Sequence, residues 1–288
     1  MSHPDQTLVG NAVKPWPSAV LACATERLAQ EAAARLVFET AARDPDPEGC
    51  IVLPTGRTAA SLFSGLLRTA GDYAEDPFDG HPVVLDTETF GVPYQHMACR
   101  AWAAYRALFE PLRRQGKHVA RNESQLLGSP LRDKTASDRL QVLLRLHRPV
   151  IHALAISPAG EVLGYEADVY ADLEPLVSDL LPLLTVSLSA KNYIDKEQPF
   201  PIIRSLGMSV PLSAKMLLLL VFDVSKAGAV RQLMASDEDP KFPASLLKRN
   251  PNGVLLATRE VLDTAGIPPT FDITRPADVL PVLEWLAG

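Results

Sequence analysis

The chain has 288 residues, of which 47% are hydrophobic, and it carries a formal net charge of −6 at pH 7. This length and composition are those of a globular protein with one large domain or two small ones. The negative charge, without a dense cluster of lysine and arginine, argues against a nucleic-acid partner. The longest apolar run, 216–224, is too short to cross a bilayer, so no membrane partner is expected.

Short apolar runs alternate with amphipathic stretches along most of the chain. Apolar runs bounded by turn residues predict buried strands, and apolar residues three and four positions apart predict helices. In chain order the predicted elements are strand 18–24, helix 25–44, strand 50–54, helix 58–71, strand 81–90, helices 96–114 and 135–147, strands 149–157 and 214–223, helix 225–235, strand 252–258, helix 259–266 and a terminal helix 276–288.

This alternation predicts an α/β fold, a doubly wound and mostly parallel sheet with helices on both faces, of Rossmann-like type. Residues 1–266 are predicted to form a single α/β domain, and residues 267–288 a proline-rich linker followed by a C-terminal helix. Residues 157–213 are the least regular part of the chain. In such folds the loops that carry chemistry follow the carboxyl ends of strands.

The turn after the second predicted strand, Pro-Thr-Gly-Arg-Thr, has the composition of an anion site. The first amides of a helix have no partner within the helix, and the helix dipole is positive at that end. Gly56 would let the backbone approach a phosphate closely, and Thr55 and Thr58 would supply hydroxyl donors. Arg57 would add a charged fork suited to phosphate. The same residues are also typical of an ordinary helix N-cap, so other motifs have to decide between the two interpretations.

Five segments in chain order carry a family resemblance. "LPTGRTAASLFSGLL" resembles the "LPTGxTPxxxYxxL" turn of glucosamine-6-phosphate deaminases, which are related to the 6-phosphogluconolactonases. "VVLDTETFGVPYQH" is similar to the family strand that ends in Asp-Glu, and "SDRLQVLLRLHRPVIHALAIS" stands where the family has a helix and the strand before its catalytic loop. "SLGMSVPLSAKMLLLLVFDVSKAGAVRQLM" and "FPASLLKRNPNGVLLAT" are similar to the closing family segments. The resemblance implies a fold of the sugar-phosphate isomerase type and a phosphorylated sugar as partner.

The resemblance also implies a carboxylate base at the end of the third predicted strand, where Glu88 matches the family's glutamate. Thr87 stands in place of the family's aspartate, so Asp86 could act only if a bulge or an altered turn re-aimed its side chain. "AGEVLGYEA" corresponds to the family's Asp-Gly-His loop, with Glu161 in place of the histidine and Glu166 at the position of a supporting glutamate. The catalytic candidates are therefore Glu88, Asp86, Glu161 and Glu166, because neighbouring carboxylates can divide the acid and base roles.

Phosphate binding departs from the family pattern as well. The family's lysine before its "TxGxxT" turn is missing, and Arg204 in "PFPIIRSLG" either supplies this charge or is an ordinary surface arginine. Arg57 either compensates for the missing lysine or fills the phosphate space itself. The candidate phosphate ligands are therefore Thr55, Gly56, Arg57, Thr58 and Arg204.

Three classes of function stay open at this point. The first is an enzyme that processes a sugar phosphate through an altered acid/base site, by isomerisation, deamination or hydrolysis of the 6-phosphogluconolactonase type. The second is a non-catalytic protein of the same fold that binds a sugar phosphate as a sensor or partner subunit. The third is an α/β protein of unrelated function.

Four further expectations concern cofactors, metals, location and assembly. No cofactor is implied, and Cys23, Cys50 and Cys99 are too far apart for a metal site, so they are predicted to be reduced, mostly buried thiols. Residues 1–17 lack the pattern of a signal peptide, so a cytoplasmic location is expected. The apolar face of the terminal helix is compatible with a homo-oligomer, although packing against its own domain is the commoner use of such a face.

Overall fold

The computed structural model describes residues 16–46, 48–89, 95, 99–117, 134–165, 183–185 and 202–287. In chain order the strands are β1 Ala19–Cys23, β2 Ile51–Leu53, β3 Val83–Leu85, β4 Thr87–Thr89, β5 Ile151–Ala155, β6 Leu183–Thr185, β7 Ile202–Ser205, β8 Met216–Val221, β9 Gly253–Thr258 and β10 Phe271–Ile273.

The α-helices are α1 Glu26–Arg43, α2 Arg57–Thr69, α3 Arg100–Ala104, α4 Glu110–Arg114, α5 Lys134–Leu146, α6 Ser209–Ser213, α7 Ala227–Ala235, α8 Arg259–Ala265 and α9 Val279–Ala287. A π-helical segment, Tyr105–Phe109, joins α3 to α4, and a 3-10 turn, Val224–Lys226, precedes α7. Within the described ranges, no helix combines the length and the apolar character that a membrane span requires.

The strands that the structure describes form two sheets. The larger is a parallel sheet of seven strands in the order β10-β1-β9-β8-β5-β2-β3. The smaller is an antiparallel sheet in the order β4-β7-β6. From β1 the chain crosses to β2 and β3 at one edge, then returns through β5, β8 and β9 towards β1. Ligands of open α/β sheets bind at the carboxyl ends of strands near such a reversal.

Side chains of the large sheet alternate between two apolar layers, as the twofold repeat of a strand requires. In β8, Leu218 and Leu220 pack in the layer that contains residues of α1, α2 and α9. Leu217 and Leu219 pack in the layer that contains residues of α7 and α8. The sheet is therefore covered by helices on both faces, which confirms the doubly wound α/β fold predicted from the sequence.

The predicted strand 81–90 is divided between the two sheets. β3 pairs with β2 of the large sheet, whereas β4 pairs with β7 of the small one. Asp86 lies between them; its N–H donates to the carbonyl oxygen of Leu53 at 2.9 Å, and its own carbonyl oxygen accepts from the N–H of Leu206 at 2.8 Å. The chain thus passes from one sheet to the other at Asp86. Sequence periodicity misses this break because both parts of the segment are buried.

The segment 267–288 contacts the rest of the molecule through a strand as well as a helix. β10 extends the large sheet beyond β1, with Phe271 opposite Leu21. α9 packs against α1 and buries Val282 and Leu283 in the same apolar layer. The terminal helix predicted from the sequence is therefore present, and the strand before it was not predicted because its three residues carry no periodicity.

Candidate functional site

A cavity of about 610 Å³ opens at the carboxyl ends of the central strands. Its lining comes from the turn after β2, the break between β3 and β4, the loop after β5 and the turn after β8, together with the start of α1 and of α3. These segments are distant in sequence, and the reversal of strand order brings them together. The cavity therefore lies where the fold predicts a ligand site.

The amino end of α2 forms one side of this cavity. Thr55 and Thr58 line it, and Gly56 between them has a φ of 84°, which favours glycine. A Cβ atom added at Gly56 would meet no atom within 4 Å, so space is open in front of the turn. Gly56 gives α2 no side-chain cap, whereas α1 has one, since the N–H of Leu28 donates to Oγ1 of Thr25 at 3.2 Å. The first amides of α2 are therefore available to an anion.

Two cationic side chains among the described lining residues reach the same turn. Nη1 of Arg100 donates to Oγ1 of Thr55 at 2.8 Å and also hydrogen-bonds to Oγ1 of Thr87, which itself contacts the Thr55 hydroxyl. Nζ of Lys226 donates to Oγ1 of Thr58 at 2.9 Å. Each threonine predicted to bind phosphate is thus hydrogen-bonded to a positive charge, a combination suited to a phosphate dianion.

The contacts of Arg100 and Lys226 with the turn before α2 were not predicted from the sequence. Lys226 belongs to the "SKAGAV" stretch that carries part of the family resemblance, so that motif held a signal for it. Arg100 had no such signal, because its contacts with Thr55 and Thr87 depend on how α3 is placed against two strand ends.

Asp86 lines the cavity with only 6% of its surface exposed. Its Oδ1 atom has no hydrogen-bond partner among the described residues. Burial raises the pKa of this carboxyl to about 6, against the opposing influence of the Arg100 charge and of hydrogen bonds from Thr55 and Thr87. The break between β3 and β4 places Asp86 and Thr87 in the same cavity, so the chain turns here in a way that brings the side chain of Asp86 to the site. A carboxyl with this pKa can exchange protons near neutral pH.

Glu88 lies two residues further on in a different environment. It is 0% exposed, and its carboxylate accepts the N–H of Arg100 at 2.7 Å and, through its other oxygen, the N–H of Ala101. Arg204 lies opposite Glu88 across the antiparallel pair of β4 and β7. Neither Glu88 nor Arg204 is among the residues that line the described cavity. This placement does not support Glu88 as the base or Arg204 as a phosphate ligand.

The loop after β5 contributes a further part of the cavity lining. Ser157 shapes it, since its Oγ accepts the N–H groups of Ala159 and Glu161, both at 3.1 Å. Gly160 has a φ of 84°, and a Cβ atom there would overlap the ring of Phe242. Glu161 lines the cavity, so the loop and one of its predicted carboxylates reach the site. Glu166 and the side chain of Arg57 lie outside the described residues.

His152 and the cysteines lie apart from the described lining. His152 is buried in β5, and burial lowers its pKa to about 3, so its ring is neutral. Cys23, Cys50 and Cys99 are buried free thiols, as predicted. Within the described ranges, no cluster of histidine, cysteine, aspartate and glutamate has the arrangement of a metal site.

Comparison with known proteins identifies the fold. No family model and no curated protein matches the chain. It is similar in structure to a monomeric glucosamine-6-phosphate deaminase, with a TM-score of 0.68 and 21% identity over 85% of this chain and 99% of that chain. It is also similar to the 6-phosphogluconolactonase from Trypanosoma cruzi, with a TM-score of 0.61 and 16% identity over 87% and 97% of the two chains. For the 6-phosphogluconolactonase from Thermotoga maritima the TM-score is 0.60 and the identity 14%, over 83% and 99%. The chain has the fold shared by these deaminase and lactonase structures, which confirms the fold that the sequence resemblance implied.

Proposed function

We propose that the protein binds a phosphorylated sugar in this cavity and processes it by proton transfer, with Asp86 as the base. One observation carries the proposal: a single cavity combines a helix start without a side-chain cap, two cationic side chains and a buried carboxylate with an unpartnered oxygen among the described residues. The deaminase and lactonase neighbours act on phosphorylated sugars by their names, which supports the ligand class.

The phosphate is proposed to lie at the amino end of α2. Its oxygens would accept the first amides of that helix, the Thr58 hydroxyl and the charged donors of Arg100 and Lys226. Both cations already bond to threonine hydroxyls of this turn, so a phosphate would find its donors close to their final positions.

The rest of the sugar would extend towards Asp86 and Glu161. Isomerisation between an aldose and a ketose moves a proton between two neighbouring carbons. Asp86 would take it from the carbon beside the carbonyl and return it to the former carbonyl carbon. Glu161 would pass a proton between the carbonyl and hydroxyl oxygens, so that the isomerisation needs no net proton from the solvent, although a proton held on Asp86 can exchange with water before it is returned. This chemistry uses only side chains of the chain and calls for no cofactor.

Two alternatives differ in the fate of the bound sugar. A non-catalytic sugar-phosphate-binding protein is favoured by Thr87, which occupies the position of the family's aspartate and is hydrogen-bonded to Arg100. Lactone hydrolysis is favoured by the lactonase neighbours; Asp86 would then take the proton from the water that attacks the lactone carbonyl.

Isomerisation, deamination, lactone hydrolysis and binding alone are separated by incubating the protein in D2O with fructose 6-phosphate, glucosamine 6-phosphate or 6-phosphogluconolactone and following each sugar by NMR. Isomerisation places deuterium on a sugar carbon, deamination releases ammonia, and hydrolysis forms 6-phosphogluconate faster than the uncatalysed reaction. Binding without any turnover supports the non-catalytic alternative. Failure to bind any phosphorylated sugar contradicts the proposal as a whole.

A further inference from the structure

Glu88 is a buried carboxylate whose oxygens are both used by backbone amides. Oε1 accepts the N–H of Arg100 at 2.7 Å, and Oε2 accepts the N–H of Ala101. These are the first two residues of α3, and no side chain of the preceding residue, Cys99, caps the helix. A carboxylate at a helix start accepts amide protons that otherwise lack partners and is attracted by the positive end of the helix dipole. Glu88 thus ties β4 to the first turn of α3.

Arg100 extends from this tied turn back into the cavity. Its backbone N–H is held by Glu88, and its guanidinium bonds to the hydroxyls of Thr55 and Thr87. The backbone of Arg100 is therefore held by β4, and its side chain contacts β4 again at Thr87 and the turn after β2 at Thr55. The position of the guanidinium depends on where α3 begins, and Glu88 accepts both of the first two amides of α3.

We propose that Glu88 is a positioning residue, which holds Arg100 so that its guanidinium meets the phosphate of the ligand at the start of α2. This inference rests on the proposed binding of a phosphorylated sugar and adds a role for a residue that does not line the described cavity. Glu88 touches neither the ligand nor the reacting atoms in this account, so it acts on binding and not on proton transfer.

The sign of the effect separates positioning from simple electrostatics. Replacing Glu88 by glutamine removes a negative charge near an anion site, and Coulomb attraction alone would then make phosphate bind more tightly. A positioning role for Glu88 predicts that the Glu88→Gln variant binds phosphate more weakly. The glutamine amide presents a donor to one of the two backbone N–H groups, so α3 loses one bond at its start and the guanidinium of Arg100 shifts.

The experiment is a titration of the folded chain with fructose 6-phosphate, in which calorimetry measures the heat of binding. Glu88→Gln is expected to weaken binding roughly tenfold, because small displacements of a positioning group have effects of this size or larger. Arg100→Ala is expected to weaken it by about 10- to 100-fold. In the Arg100→Ala background, adding Glu88→Gln should change the affinity less than about twofold. The effects of two substitutions are not additive when the two residues act through one contact.

Asp278→Asn is the matched control. The Asp278 carboxylate also holds a helical turn by accepting backbone amides, those of Thr274 at 3.0 Å and Arg275 at 2.8 Å, and it does not line the cavity. Its replacement should leave the affinity for fructose 6-phosphate within about twofold of the unmodified protein. If the Glu88→Gln variant does not fold, Glu88→Asp keeps the charge, withdraws both oxygens by one methylene and is expected to show the same pattern.

The outcomes separate this inference from the proposed function. If the unmodified protein does not bind the sugar phosphate, the proposed function fails. If it binds, but Glu88→Gln binds equally or more tightly, or weakens binding just as much without Arg100, the positioning role is wrong. Where turnover is measured, Glu88→Gln should raise KM and leave kcat unchanged; loss of kcat at unchanged KM would make Glu88 the base and overturn the inference.

Discussion

The turn before α2 and the charged groups around it are built in different ways. Thr55 and Thr58 belong to one short strand-turn-helix unit, and each bonds to a cation at 2.8 to 2.9 Å. The charged groups come from segments that are distant in sequence: Asp86 from a break between two sheets, Glu161 from the loop after β5, Arg100 from α3 and Lys226 from the turn after β8. The threonine turn is therefore a local feature of the sequence, whereas the tertiary fold brings the cations and carboxyls to it.

Two carboxyl groups only two residues apart in sequence also differ in their surroundings. Asp86 faces the cavity with an oxygen that has no partner in the described part of the chain, and its pKa is raised by burial to about 6. Glu88 has both oxygens occupied by backbone amides. The role of an acidic residue thus depends on the hydrogen-bond partners of its oxygens and not on its position in the sequence.

The largest expected effect concerns the proposed base. Asp86→Asn removes the proposed base and keeps the shape of the side chain, so turnover of a sugar phosphate should fall about 10²- to 10⁴-fold with little change in KM. Steady-state kinetics on the isolated variant measure this. Glu161→Gln should lower turnover less, since Glu161 is proposed only to pass protons between oxygens. Full activity of Asp86→Asn would rule out the assigned base.

Two glycines with the same φ, one in the turn before α2 and one in the loop after β5, allow backbone strain and packing to be compared. Gly56 and Gly160 both have a φ of 84°, but an added Cβ meets open space at Gly56 and overlaps the Phe242 ring at Gly160. Gly56→Ala is expected to lower the free energy of unfolding by ~1 kcal/mol through strain alone. Gly160→Ala adds a steric clash and should cost roughly 3 kcal/mol or more. Urea unfolding of both variants checks the order; equal losses would show that the loop after β5 relaxes freely.

The buried carboxyl of Asp86 also gives stability a particular pH dependence. Its pKa is about 6 in the folded protein and near 3.8 when unfolded, so between these values the folded state binds more protons. The contribution of Asp86 to the free energy of unfolding therefore falls as pH rises from about 4 to about 6, by up to ~3 kcal/mol. Relative to the unmodified protein, Asp86→Asn should gain stability over this window in thermal unfolding.

Asp278 supplies a control whose contribution to stability changes with pH in the opposite direction. Hydrogen bonds from Thr274 and the amide of Arg275 hold its pKa below the usual range, so its contribution is present at neutral pH and is lost in acid. Asp278→Asn should therefore be the less stable protein at neutral pH, and its deficit should shrink as pH falls. If Asp86→Asn behaves in the same way as Asp278→Asn, the pKa of Asp86 is not raised.

The sequence predicted the parts of this protein that are local. Periodicity located most strands and helices, and the turn at Thr55 to Thr58 was predicted between a strand and a helix because a few consecutive residues are enough to indicate such a turn. The break at Asp86 could not be predicted, since buried residues stand on both sides of it. The contact between Glu88 and Arg100 could not be predicted, because it joins β4 to a helix start that sequence spacing does not specify.

The most direct test of the account is a calorimetric comparison of glucose 6-phosphate with glucose. The account predicts that the phosphate ester binds and the free sugar does not, and that Lys226→Ala weakens binding of the ester by about 10- to 100-fold. Lys215→Ala is the matched control, because Lys215 pairs with Asp44 at 2.7 Å and does not line the cavity. Equal binding of the two sugars, or binding of the ester that is unaffected by Lys226→Ala, would contradict a phosphate site at the start of α2.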